Sequence, residues 1–263
     1  MNDFNFAQAG RASAGTMDAS VDAGLRSFML GVYNKLALGI ALAGILALIA
    51  GTVEPVRNIV LFSPLAFVIA FGPPALIIGS MFFMKNPSPV ATGFIYWAVV
   101  TLIGLSFGYY MYMASESMSM STLGGIKQSF NFATITKAFL ITATSFAALS
   151  LWGYTTKRDL TALGTFAIMG LWALFAVSIV YMILPMTGLI EHSGGMEWMI
   201  SGGFALLSAV LVAWETQQLK HGYYQFAGDQ RGLAVMTNWG ALNFFIMFVN
   251  MFRFVLMLLA SRE

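Results

Sequence analysis

The stretch IVLFSPLAFVIAFGPPALIIGSMFFM, residues 59–84, carries no charged side chain from end to end. A helix of about 20 apolar residues crosses the hydrocarbon core of a bilayer, so this stretch is long enough to span it. Inside lipid every backbone N–H and C=O must find a partner within the protein, which makes helix the expected conformation of an apolar run of this length. Six further runs of the same character accompany it: Leu36–Val53 before it, then Val90–Ala114, Ala138–Tyr154, Leu160–Leu184, Trp198–Leu219 and Trp239–Ala260. The expected fold class is all-α, an integral membrane protein with seven transmembrane helices.

Composition agrees with the lipid bilayer as partner. Hydrophobic residues make up 59% of the 263 and charged residues only 9%, against about 25% charged in a soluble domain. Too few charges remain to cover a water-exposed surface. The net charge of +2 speaks against nucleic-acid binding. With no cysteine and two histidines, thiol chemistry, disulfides and Cys-ligated zinc are excluded, and neither a metal site nor a cofactor is expected. Residues 1–27 are rich in Ala, Gly, Ser and Asp and read as a flexible cytoplasmic tail, with residues 28–263 forming the seven-helix transmembrane domain. Longer connections are expected near 114–131, 185–197 and 220–238. None is long enough for a separate soluble domain.

Basic residues in the connections set the expected orientation. Arg11, Arg26, Lys35, Lys85, Lys157, Arg158, Lys220 and Arg231 fall on the N-terminal side of the membrane; Arg57, Lys127, Lys137 and Arg262 fall on the other. The asymmetry puts the N-terminus in the cytoplasm, and with no transit peptide read in residues 1–27 a cell inner membrane is expected.

Small residues recur at every fourth position in two runs: Gly39, Ala43, Ala47 and Gly51 in the first, Ser201, Ala205, Ala209 and Ala213 in the sixth. Gly104 and Gly108 repeat the spacing in the third. Such stripes let helix backbones approach closely where no hydrophobic effect drives association. Pro73-Pro74 in the second run is expected to kink that helix near Gly72, either as plain packing or as a hinge.

Ionisable groups inside spans are costly and point to function. Two stand out. Glu215 lies near the end of the sixth run and is either shallow enough to pair with Lys220 or a functional acid. Arg253 lies two thirds of the way along the seventh, where it either snorkels outward or lines a path. Asn243, Met247 and Asn250 share one face of the seventh helix, with Arg253 a turn further on. That polar stripe is expected to face protein or a water-filled path, so Glu215, Asn243, Met247, Asn250 and Arg253 form the candidate ion-pathway or pH-sensing set.

Catalytic patterns fail on context, and no enzyme is expected. Gly104-Leu105-Ser106-Phe107-Gly108 matches G-x-S-x-G, but a nucleophile elbow needs a strand-to-helix turn and a histidine partner. Here the motif lies in an apolar helix. His192 and His221 are expected in solvated connections.

SLWGYTTKRDL, residues 150–160, is more specific than any of these. It closely resembles the S-L-x-G-Y-T-T-K-R-D-L signature of bacterial members of the Bax inhibitor family, the transmembrane Bax-inhibitor-motif proteins. FLITA at 139–143, RSFM at 26–29 and VYNKLA at 32–37 are similar to that family too, as are AWETQ at 213–217, Gly240-Ala241-Leu242 and Val249-Asn250. The resemblance covers about residues 26 to 260. It implies seven helices with the last one surrounded by the other six. For some bacterial members it also implies a pH-sensitive calcium leak, in which an aspartate on the sixth helix and one on the seventh share a proton.

The sequence departs from that pattern at both positions. Glu215 stands where the sixth-helix aspartate is expected, and Met247 where the seventh-helix aspartate is expected. A thioether neither shares a proton nor suits calcium, which takes hard oxygen ligands. Two functions therefore stand side by side. One is a weak calcium or cation leak or exchanger with a degenerate acid pair. The other is a regulatory interaction protein that binds and modulates a membrane-anchored ATP-dependent protease, as some bacterial relatives do, with the N-terminal tail as a handle.

Overall fold

The computed structural model describes residues 6–121, 127–184, 193–226 and 228–261. Eight helices follow in order: α1 (Phe6–Thr52), α2 (Glu54–Leu61), α3 (Leu65–Phe83), α4 (Pro89–Ser115), α5 (Phe132–Thr155), α6 (Thr161–Ile183), α7 (Gly194–Gln225) and α8 (Gln230–Ala260). All but α2 are long and apolar enough to cross a membrane, so the seven expected spans are present. Two three-residue strands, β1 (Ser119–Ser121) and β2 (Lys127–Ser129), pair antiparallel between α4 and α5.

Capping side chains mark where helices begin. Ser88 accepts a hydrogen bond from Ala91 N ahead of Pro89, Asn131 accepts one from Thr134 N, and Asp229 accepts one from Arg231 N, satisfying N–H groups that the first turn leaves free. Gly228, with φ +96°, makes the tight turn into α8.

Boundaries differ from the sequence expectation in three places. The run at 59–84 is split. Pro64 has no N–H to continue the ladder to Val60, and Ser63 Oγ receives the N–H of Leu65 instead, so α2 and α3 are separate helices. Across Pro73-Pro74, in contrast, α3 runs unbroken. α1 opens at Phe6, well ahead of the run expected from Leu36, and Leu25 on it is buried. The sixth span continues to Gln225, which shortens the connection expected over 220–238 to residues 226–229. His221 accordingly sits exposed on α7 and not in a loop; His192 lies outside the described residues.

The small-residue stripes meet their partners. Gly104 presses against Ala43, and Gly108 against Ala50 and Gly51, so closely that an added Cβ would overlap backbone or Cβ atoms of α1. This contact between α1 and α4 is the broadest in the bundle. It also gives the G-x-S-x-G motif its physical role, since Ser106 Oγ merely donates to Ile103 O in its own helix. In the other part of the bundle α7 packs on both α5 and α6. Gly153 lies against the backbone of Ala213, Gly164 against the Trp214 ring, and Gly203 against Leu174. α8 packs against α1, α4, α5 and α7. Phe244, Phe245, Leu242 and Leu256 on it are almost wholly enclosed.

Candidate functional site

Glu215 is the one acidic residue within the seven spans. Because α7 continues to Gln225, it lies ten residues from the helix end, about 15 Å at the rise of a helix. The sequence reading placed it some four residues from that end. Of the two alternatives, pairing with Lys220 is not made. Lys220 Nζ instead donates to Tyr154 O at 3.3 Å and stands 5.3 Å from the centre of the Tyr154 ring. Glu215 is half-buried, and its Oε1 accepts a 2.7 Å hydrogen bond from Asn243 Nδ2 of α8. The partner that α8 offers Glu215 is thus a neutral amide.

The remaining candidates divide. Met247 is half-buried and packs against the apolar core. Asn250 stays on the line of Asn243 but is exposed, and Arg253 is exposed as well. Ten residues beyond Asn243, Arg253 is rotated by about 80° from it around the helix. The expected stripe is therefore covered by protein at Asn243 and Met247 and open at Asn250 and Arg253.

Around the Glu215–Asn243 pair lie polar groups that hydropathy alone does not single out. Thr216 Oγ1 donates to Val212 O at 2.7 Å and lies 3.0 Å from Ser150 Oγ of α5, which is 2.5 Å from the Tyr33 hydroxyl of α1. The Tyr33 ring stacks on Phe244, next to Asn243. A second network lies on another side of α8. Lys35 Nζ donates to Asn238 Oδ1 and stands 5.2 Å from the centre of the Tyr96 ring. The Asn238 amide donates in turn to Pro89 O and Thr92 Oγ1, both at 2.8 Å. A positive charge inside a span is thus held by neutral oxygen and ring faces. The signal for these residues was their polarity within or beside apolar runs, which is too common to rank without contacts.

Two of the sequence motifs prove to be halves of one joint. The 150–160 stretch joins α5 to α6, and α7 grips it from the 213–217 stretch. Gly153 admits the Ala213 backbone, and Ser150 meets Thr216. Gln217 receives Leu160 N on Oε1 and donates from Nε2 to Arg158 O, both at 2.8 Å. Asp159, exposed at the same turn, accepts from Thr161 N, and hydrogen bonds from Thr161 hold its carboxyl below the usual carboxylate range. Gln217 is buried, so Gln217→Ala strands a buried N–H and a carbonyl. We expect it to cost about 1–3 kcal/mol, read as a lower thermal unfolding midpoint in detergent.

An all-helical, multi-pass membrane bundle with a single acid in its spans, held by an amide on the last helix, is the class of protein these features define. The family model described as inhibitor of apoptosis-promoting Bax1 matches residues 25–263. The chain belongs to that family, the Bax inhibitor family. It is similar to an uncharacterised protein of Caulobacter vibrioides, 40% identical over 97% of each chain. It is also similar to protein RP147 of Rickettsia prowazekii, 32% identical over 92% of each. Inner membrane protein YbhL of Escherichia coli K12 is 27% identical, over 92% of this chain and 94% of that one.

Proposed function

We propose that this protein is a low-flux cation leak of a bacterial inner membrane, N-terminus inside, with Glu215 as the cation-attracting group and no enzymatic role. The observation that carries the reading is the Glu215–Asn243 pair: an acid within a candidate span whose carboxylate is bonded to a neutral amide. A lone carboxylate supplies hard oxygens to a calcium ion, and an amide neighbour supplies another. Without a second acid there is no proton to share, so the leak is weak and only shallowly dependent on pH. Inner-membrane placement is supported by the name of the YbhL relative, and orientation by the distribution of basic residues.

The test is calcium efflux from liposomes holding the purified protein, over a pH series on both sides of neutrality. The natural protein is expected to show a slow leak, and Glu215→Gln to lower it at least about fivefold, the low end of a site-specific coupling. A fast, sharply pH-gated leak in the natural protein, or an unchanged leak in Glu215→Gln, contradicts the reading.

One observation favours a second reading, a regulatory protein that binds a membrane-anchored protease. The family match opens only at residue 25. Residues 1–24 lie outside the stretch the family model matches, which suits a handle for a partner. Co-purification with such a protease, abolished on deleting residues 1–22 while the leak is unaffected, is the outcome that selects it.

A further inference from the structure

The broad contacts of the bundle fall into two sets. α1 and α3 each pack on α4, with α2 against all three; α5 and α6 each pack on α7; direct contact between the sets is narrow, α1 touching α7 and α4 touching α5. Each set is locked internally by glycines against backbone or rings: Gly104 and Gly108 in the first, Gly153 and Gly164 in the second. α8 lies between and is tied to both. Asn238 binds Lys35, Pro89 and Thr92 on one side. Asn243, about 140° around the helix, binds Glu215 on the other.

We propose that the protein moves as two rigid halves against α8, and that the Tyr33 hydroxyl is the clasp that holds them closed. The donor inventory decides what the hydroxyl chain does. Each hydroxyl has one proton. Thr216 spends its own on the Val212 carbonyl, so Ser150 donates to Thr216 and Tyr33 donates to Ser150. The chain ends on a carbonyl, which has no proton to pass onward. It is therefore a staple from α1 to α5 and α7, not a proton wire. Ser150 is buried, so an undone clasp leaves its oxygen without the Tyr33 donor in a place water does not reach. The clasp also borders the acid site from both sides. Thr216 follows Glu215 in sequence, and Phe244, under the Tyr33 ring, follows Asn243. Parting the halves opens the flank of that pair. Rigid packed units sliding on a shared helix are an established way for bundles to switch.

The chain has no cysteine, so spin labels can be placed without altering a natural one. Leu38 on α1, Phe94 on α4, Leu151 on α5 and Leu163 on α6 are exposed positions that accept Leu38→Cys, Phe94→Cys, Leu151→Cys and Leu163→Cys. Electron–electron distances in lipid nanodiscs are then compared with and without Tyr33→Phe. The pair across the halves, 38 with 151, is expected to gain a second population displaced by about 5 Å, the order of a one-turn shift. The pairs within halves, 38 with 94 and 151 with 163, stay as they were. Ser150→Ala, which removes the acceptor instead of the donor, produces the same displacement and keeps the test open if Tyr33→Phe folds poorly. Unchanged cross-half distances in both variants overturn the proposal. So do equal changes within the halves, and so does loss of folding in both variants, because a clasp between preformed halves is dispensable for the packing of each. The measurement detects motion and not flux, so its failure is distinguishable from failure of the leak.

Discussion

Gly153→Leu should leave almost no folded protein. Gly153 of α5 lies against α7 so closely that even a Cβ would overlap the Ala213 carbonyl oxygen, with the carbonyl carbon and Cα within 2.8 Å. These are backbone atoms of a membrane helix, and no rotamer change removes them. To admit a leucine the two helices must part. Their parting pulls Ser150 from Thr216 and strains the grip of Gln217 on the α5–α6 connection. Overpacking a tight core costs about 1–3 kcal/mol, and the stranded polar groups add about 1–3 kcal/mol each. The sum is comparable with the whole stability of a typical domain, about 5–15 kcal/mol. The measurement is the recovered monodisperse fraction on size exclusion in detergent, with the thermal midpoint of whatever survives. Gly44→Leu is the matched control, since an added Cβ there meets nothing within 4 Å, and it is expected to behave as the natural chain. A Gly153→Leu protein as abundant and as stable as Gly44→Leu would show that close packing at this joint does not hold α5 to α7.

Met247→Asp should turn a shallow pH response of the leak into a steep one. Met247 is one turn beyond Asn243 on α8, and the Asn243 side chain already reaches Glu215. An aspartate at 247 brings a second carboxylate to the neighbourhood of the first. Below the pH at which both ionise, one proton serves both groups and holds α7 to α8. Above it, two like charges repel and favour separation. Calcium efflux from liposomes is therefore expected to rise with pH, by about tenfold across the transition, equivalent to about 1.4 kcal/mol of coupling. Met247→Asn, equally polar and without charge, should leave the profile of the natural protein. If Met247→Asp and Met247→Asn give the same pH profile, the two side chains at 215 and 247 do not sense each other and the account of the degenerate pair fails.

The membrane class was legible because one physical rule acts locally. A run such as 59–84 without a charge has nowhere else to go, and each span satisfies its own backbone. The small-residue stripes were legible as packing faces for the same local reason, though which face meets which was not. Glu215 stood out because a carboxylate in an apolar run is costly wherever the helix lies. Its partner did not, because Asn243 was one of several polar residues on α8 with equal claims. Lys220 was the nearer candidate in sequence and turned out to be spent on Tyr154. Arg253 looked like part of the same path because stripes are read in steps of three and four, whereas ten residues along a helix leave a rotation that spacing conceals.

Periodicity and hydropathy are properties of single segments, so the chain alone specifies seven helices, an acid among them and the close-packing faces. The residues 150–160 and 213–217 were recognisable there as separate motifs. That they form one joint, that Tyr33 closes α1 onto α5 and α7, and that Glu215 rests on an amide follow from how helices distant in sequence come to lie side by side. Lipid offers polar groups no alternative partner, so their pairing is settled by which neighbours the bundle brings within reach.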